Sequence, residues 1–410
     1  MKRFLAAVVC CLMFVSTVRS ADWPQWRGPN RDGVSKENGL LQQWPDDGPP
    51  LRWMASDIGT GYSSPSIAQG RVYLQTTRDD AEFALALDEH SGSQIWSVPI
   101  GKIGRNRGPQ YPGTRSTPTV DGELVYCLAS DGELVCLEAA SGDVKWQRHL
   151  RNDFGGAAGN WAYAESVLID GDILVCTPGG SEATLAALNK KTGEVIWKSP
   201  IGDGETAEYA SIMVVGDGRQ KQYVQFLRKG VVGVEAQSGN FLWRYEATAG
   251  QAANILTPVV EGNRVFSAGS RSGGGLVELK ANDNGIAATE VYFDDSLGAS
   301  IGGAVLVDGF LYGASSQAMF CVDFQSGEVM WRERALGAAS ICYADGRLYV
   351  RGHDSEDVAL VEPSPEGYRE KSRFSQPERS ESRAWPHPVV ANGALYLRDE
   401  GVLLCYDVGA

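Results

Sequence analysis

The residues with the most chemical reach in this chain gather in five short polar stretches between apolar runs. The first carries Arg105, Arg107, Tyr111 and Arg115, the second Asn160, Trp161, Tyr163 and Glu165, and the third Glu205, Glu208 and Tyr209. Asn254 stands in the fourth, and Trp385 with His387 in the last. Guanidinium groups hold anions through paired donors, and carboxylate and amide oxygens hold hard cations such as Ca²⁺. Indole and phenol rings stack on flat ligands and dominate protein interfaces. Such a set suits a small anion, a metal with a flat cofactor, or a peptide. The alternative is an ordinary polar lining of a water-filled channel.

Other motifs carry less. His90, His149, His353 and His387 lack metal-ligand spacing, and no metal site is expected. Gly298-Ala-Ser-Ile-Gly302 has the spacing of a hydrolase nucleophile elbow, but that elbow needs a strand-to-helix turn, and no helix-period segment of useful length is present. The run Gly273-Gly-Gly275 leads into a strand-like stretch rather than the helix that phosphate binding requires.

The elements that must position these stretches are set by a repeat. Its clearest copy is Ala86-Leu-Asp-Glu-His-Ser-Gly-Ser-Gln-Ile-Trp96, and the frame returns at Cys136 to Trp146, Ala187 to Trp197, Gly233 to Trp243 and Cys321 to Trp331. Successive tryptophans lie 50, 51, 46 and 88 residues apart, the last interval spanning two steps. An apolar run before the frame makes a strand, Ser-Gly turns the chain where positive φ is needed, and the next strand carries the indole. A period in the forties with strands and turns inside it indicates an all-β propeller of four-stranded antiparallel blades. Eight blades fit: blades one, two, four, five and eight open near Ser63, Ser116, Ser211, Thr257 and His387, and blades three, six and seven are marked by Asp170-Gly171, Asp308-Gly309 and Asp345-Gly346. The chain ends one strand short, while Leu51-Arg-Trp53 stands 43 residues before Trp96 as an orphan outer strand. That N-terminal strand is therefore expected to close the last blade. In this strand order the five polar stretches all fall in the long outer-to-inner connections on one face, around the central channel, and the opposite face has short Asp-Gly and Asn-Gly turns.

The frame, with its small first residue and terminal Trp, closely resembles the tryptophan-docking motif of pyrroloquinoline-quinone-type propellers. That resemblance gives Trp53, Trp96, Trp146, Trp197, Trp243 and Trp331 the role of packing on the next blade. Two branches of the group imply different functions. Quinoprotein alcohol dehydrogenases hold pyrroloquinoline quinone between a Trp and two adjacent bonded cysteines, over a Ca²⁺ bound by Glu and Asn, with an Asp as base. Trp161, Glu165 and Asn254 could mimic parts of that arrangement, but no Asp can be assigned as base and the only adjacent cysteines are Cys10 and Cys11. The chain also resembles the propeller lipoprotein of the outer-membrane barrel assembly machinery, which has no cofactor and presents loops to partners. The second branch implies a non-catalytic binding or scaffold protein that engages a protein partner or small ligand at the channel face. Its lipid-anchor cysteine has no match here.

Composition sets the setting. Met1-Lys2-Arg3, an apolar run from Phe4 to Val18 and Val18-Arg19-Ser20-Ala21 fit an export leader spanning residues 1–20. The run is short for a membrane span of about 20 residues. The formal net charge is −14, or −17 once Lys2, Arg3 and Arg19 are removed, which argues against nucleic acid and anionic membranes as partners. A monomer, periplasmic or extracellular, is expected. Residues 21–50 form a Trp, Pro and Gly-rich lead read as a strap against a propeller at 51–410, whose loss should harm the fold less than loss of Leu51-Arg-Trp53. Cys127 and Cys136 are the one candidate disulfide, placed opposite each other if the hairpin turns on Asp131-Gly132 alone.

Overall fold

The computed structural model describes residues 21–105, 111, 113–282, 285–299 and 301–410. The expected leader lies outside them. Thirty-two strands among these residues form eight four-stranded antiparallel sheets, and the only α-helix there is the five-residue Leu150–Phe154. Blades one to seven run 66–102, 119–149, 168–199, 213–245, 259–294, 304–333 and 339–375 in simple up-and-down order. Blade eight has strands Val389–Ala391, Ala394–Asp399 and Val402–Asp407, and Leu51–Ala55 pairs with the last of these as its fourth strand, with Trp53 opposite Cys405. The N-terminal strand thus closes the ring as the repeat count requires.

Each blade carries a register shift at the same place, just before the residue in the tryptophan slot of its outer strand. One extra residue there sharpens the local twist and turns the indole toward the neighbouring sheet. Trp53, Trp96, Trp146 and Trp197 donate Nε1–H to the carbonyls of Glu89, Ala139, Lys190 and Ala236 in the following blade, at 2.9 to 3.2 Å. Beneath each indole lies the turn glycine of that blade: Gly92, Gly142, Gly193 and Gly239. Each has positive φ, and a Cβ there would come within about 3 Å of the ring. Glycine is needed twice over, for its backbone conformation and for the ring's approach.

The four remaining junctions each vary this contact. Trp331 reaches the carbonyl of Ser364 at 2.7 Å, so the stretch Glu362-Pro-Ser-Pro-Glu366 keeps the acceptor although the frame is gone. Blade five has Tyr292 in the slot, opposite Leu276, with its ring over Gly327 of blade six. Trp243 departs from the docking role expected of it: its indole donates to Gln222 of its own blade at 2.7 Å and lies over Gly233. Blade five has a long hairpin, Gly273–Asn282 against Gly285–Asp294, in place of the frame that would receive it, and Tyr245 bonds Glu290 across the junction instead (2.8 Å).

Blade seven has Ser372 in the slot, opposite Leu360. The missing indole is supplied by the lead: Trp44 bonds Ser372 Oγ through its backbone N–H (3.0 Å) and packs on Tyr349 at 5.7 Å, close to the 6.0 to 6.2 Å of the Tyr–Trp pairs within blades one, two, six and eight. The lead is therefore more than a strap. Trp23 bridges to Ile67 of blade one, Pro24 accepts from Val120 of blade two, and buried Arg31 donates to Ser166 and Val167 of blade three. Buried Arg27 reaches Ala304 of blade six, and Gly33 and Ser35 pair with Tyr343 of blade seven. Residues 23–35 thus contact blades around the ring and fill the channel.

The six cysteines of the described chain are free and buried. Cys136 lies opposite Tyr126, and Cys127 opposite Val135. The turn holds one residue more than a two-residue loop, because Ala129 pairs with Glu133 around Ser130 to Gly132. The candidate pair is thereby displaced by one position onto opposite sheet faces.

Two predictions follow from the docking geometry and the buried lead. Trp44→Ala should destabilise the protein as much as Trp96→Ala, by about 3–5 kcal/mol for loss of a buried indole, read as the shift of the urea unfolding midpoint. Deleting residues 22–44 should leave a protein that aggregates, because seven buried lead side chains (Trp23, Arg27, Arg31, Ser35, Glu37, Leu40 and Trp44) lose their place and the channel opens.

Candidate functional site

The long connections and the lead enclose a cavity of about 360 Å³ on the channel face. Trp26 from the lead forms part of its floor, donating Nε1–H to Thr257 Oγ1 (3.0 Å) with its ring 4.6 Å from that of His387. The walls carry further aromatic rings: Trp385 lies 4.8 Å from Tyr62 and 4.6 Å from Tyr111, and Trp161 packs edge-on against Tyr209, whose hydroxyl accepts the Trp161 backbone N–H at 3.0 Å. Arg27, Arg115 and Arg383 are the charged residues of the lining among the described residues, and no Asp or Glu is among them.

The wall is fixed by a belt of hydroxyls at the starts of the inner strands. The backbone N–H of Thr117 donates to Ser166 Oγ, that of Ser166 to Ser211 Oγ, that of Ser211 to Thr257 Oγ1, and that of His387 to Ser64 Oγ, at 2.8 to 3.2 Å. Each bond crosses from one blade to the next, so the rim is stitched where strand pairing cannot reach.

Of the residues singled out in the sequence, Arg115, Trp161, Tyr209, Trp385 and His387 line this cavity. Arg115 also acts as a clamp, with its guanidinium donating to the carbonyls of Tyr111, Gly113 and Trp161. His387 is buried and donates Nε2–H to Ile301 O at 3.1 Å; burial, then the charge of Arg27, holds its pKa down to about 3, so it is neutral. Glu165, Glu208 and Asn254 are brought close but turned into the blade walls. Glu165 accepts from Thr177 N and Gln225 Nε2, Glu208 from the backbone N–H of Asn254, and Asn254 Nδ2 donates to Leu227 and Arg228. Burial raises the pKa of Glu165 and of Glu208 to about 7. Asn160 is half-buried and absent from the lining, Arg105 is exposed, and Arg107 lies outside the described residues. Trp26, Arg27, Tyr62 and Arg383 were not anticipated; the signal for the first two was a pair of arginines, Arg27 and Arg31, inside a stretch otherwise rich in Trp, Pro and Gly.

A quinone over Ca²⁺ does not fit this donor set. The cavity wall offers the cation no carboxylate or side-chain amide among the described residues, and no adjacent cysteine pair faces the ring. The one group of three metal-capable side chains there, Asp131, Glu133 and His149, sits at the blade-two hairpin. The Arg151 side chain already lies 3.5 Å from Asp131, and the Arg151 backbone N–H occupies His149 Nδ1.

The profile of the family described as outer membrane protein assembly factor BamB matches residues 80–333. The chain belongs to that family. It is 24% identical over 290 residues to the BamB of Yersinia pestis, covering 67% of this chain and 58% of that one, so it spans under two thirds of that relative. Against the BamB of Shewanella oneidensis it is 24% identical over 310 residues, 70% of this chain and 71% of that one. Among solved structures, BamB from Moraxella catarrhalis superposes with a TM-score of 0.57 at 15% identity, covering 81% of this chain and 95% of that one. A europium-containing methanol dehydrogenase gives 0.66 at 11% identity, covering 93% and 90%. BamB proteins and dehydrogenases thus share this ring of blades, and at these identities the superpositions speak for the fold alone. No helix among the described residues is long and apolar enough to cross a membrane.

The buried carboxyls make a pH prediction. A Glu whose pKa rises from 4.5 to about 7 on folding binds more protons folded than unfolded between those values. Its contribution to stability is therefore full below about pH 4.5 and lost as pH rises through about 7. Melting temperatures of Glu165→Gln and the parent protein should move in the variant's favour from pH 4.5 to 7 and keep a constant difference above that.

Proposed function

We propose that this protein is an exported, non-catalytic binding or scaffold propeller that engages its partner through the aromatic cavity on the channel face. The observation carrying this reading is the cavity itself, because rings from the lead, blade-spanning clamps and the long loops converge on it while the opposite face is trimmed to short turns. Rigid scaffolds place recognition in such loops, and Trp, Tyr and Arg are the side chains that most often dominate binding. Membership of a family described by assembly of outer membrane proteins supports a protein as that partner, and the leader-like residues 1–20 support export. Catalysis as a quinoprotein alcohol dehydrogenase is disfavoured by a cavity wall without carboxylates.

A photo-crosslinking residue at position 255 of the cavity lining in the cells of origin should trap a discrete partner, and one at position 308 on the other face should not. The double variant Trp161→Ala with Trp385→Ala should lower that capture at least tenfold and shift stability by about 1.5–4.5 kcal/mol, the worth of three lost aromatic pairs. Equal trapping from position 308, or dye-linked alcohol oxidation on adding pyrroloquinoline quinone and Ca²⁺, would overturn the reading.

A further inference from the structure

The charge of the cavity identifies the chemistry of its occupant, given that the cavity is the binding site. The protein carries a formal net charge of −14, yet the cavity lining holds three arginines and no carboxylate. Two of the three lack an ion-pair partner among the described residues. Arg27 is buried, with Nη2 donating to the carbonyls of Asp32 and Ala304 and Nη1 without any acceptor. Arg115 donates only to carbonyls. Arg383 pairs with Asp354 at 3.1 Å, but that pair is more than half exposed and weakly held. His387 is neutral and repels nothing. The carboxylates of Asp32 and Glu82 act by charge on Arg27 and Arg115 without forming an ion pair, and burial still holds the pKa of both guanidiniums down, so their desolvation is only partly compensated. An anion entering the cavity would supply that counter-charge at low dielectric, where it counts most.

The shape of the lining adds a second requirement. Trp26, Trp161 and Trp385, with Tyr62, Tyr111 and Tyr209, surround the space with ring faces and edges, which suit a flat aromatic body. A volume of about 360 Å³ lies at the small end of ligand cavities and accommodates one or two fused rings.

We propose that the cavity takes a carboxylate borne on or beside a flat aromatic ring, bound without a divalent metal. Two sources share that chemistry: a free aromatic acid, and an acidic residue next to an aromatic one in a partner's peptide. The ring stacks between Trp161 and Trp385, and the carboxylate faces Arg115 above the floor formed by Trp26 and Arg27.

The test is a charge series on one ring, titrated calorimetrically into the full-length mature protein in the presence of a chelator. Indole-3-acetate should bind at least tenfold more tightly than neutral indole-3-acetamide, and the cation tryptamine should not bind. Acetyl-Trp-Asp-amide and acetyl-Trp-Asn-amide form the peptide arm: preference for the Asp peptide over free indole-3-acetate assigns the ring and carboxylate to a partner protein, and the reverse assigns them to a small acid. Trp385→Ala should weaken the preferred probe at least tenfold. Equal binding of acid and amide, binding untouched by Trp385→Ala, or no binding by any probe at millimolar concentration would overturn the proposal. Failure here with position-255 crosslinking intact sinks the anion assignment alone, while loss of crosslinking with indole-3-acetate binding intact sinks the partner-binding function alone.

Discussion

A ring of eight sheets holds only if its last sheet is tied to its first, and here the tie is the pairing of Leu51–Ala55 with Val402–Asp407. Seven blades are built from consecutive strands, so each could form locally. The eighth takes strands from both ends of the chain, about 350 residues apart in sequence. That pairing covers the edge that would otherwise recruit other chains. It also places Trp53 over Gly92, so blade eight docks on blade one by the same contact that joins one to two. Closure and docking are one interaction repeated around the ring.

Once the strand at 51–55 is fixed, the segment before it has to lie against the ring, and it runs through the channel. Buried Glu37 accepts the backbone N–H groups of Asn392 and Gly393, Leu41 N donates to Val408 O, and Trp44 fills the slot that blade seven lacks. In the repeat, the carbonyl corresponding to that of Val408 receives a docking indole; here the lead takes both the carbonyl and the indole's position. Further in, Trp26 and Arg27 become the cavity floor. The site is therefore an outcome of ring closure, since its base is the chain that leads into the closing strand.

The sequence made the blades legible because their rule is short: a small residue, an acidic or amide residue, Ser-Gly and a Trp at a fixed spacing, repeated often enough to count. Where the rule decays, the physics finds substitutes that spacing alone does not reveal. Tyr292 takes the place of an indole, the Ser364 carbonyl outlives its frame, and Trp243 turns back because a long hairpin meets it. The expected disulfide failed by a single residue in a turn, which in a strand reverses the face of the side chain. Site residues were harder still. Loop position put Glu165, Glu208 and Asn254 beside the cavity, but each carries backbone N–H or carbonyl groups that a loop entering a blade leaves unpaired, and each is spent on them. Trp26 and Arg27 lie in a segment without period, so nothing but their type, aromatic and cationic amid Pro and Gly, marked them.

The account turns on the lead being part of the folded ring, and amide hydrogen exchange of the intact protein reads this directly. Peptides covering Trp23 to Ser35 and Leu51 to Ala55 should exchange as slowly as the blade-two strand Leu124–Leu128, with a common opening free energy, because Trp23 and Ser35 donate to Ile67 and Tyr343, Gly33 accepts from Tyr343, and the closing strand pairs with blade eight in one cooperative structure. Exchange of residues 23–35 at the rate of an unstructured chain, while the blades remain protected, would show that the channel is not filled by the lead and that the cavity lacks the floor described for it.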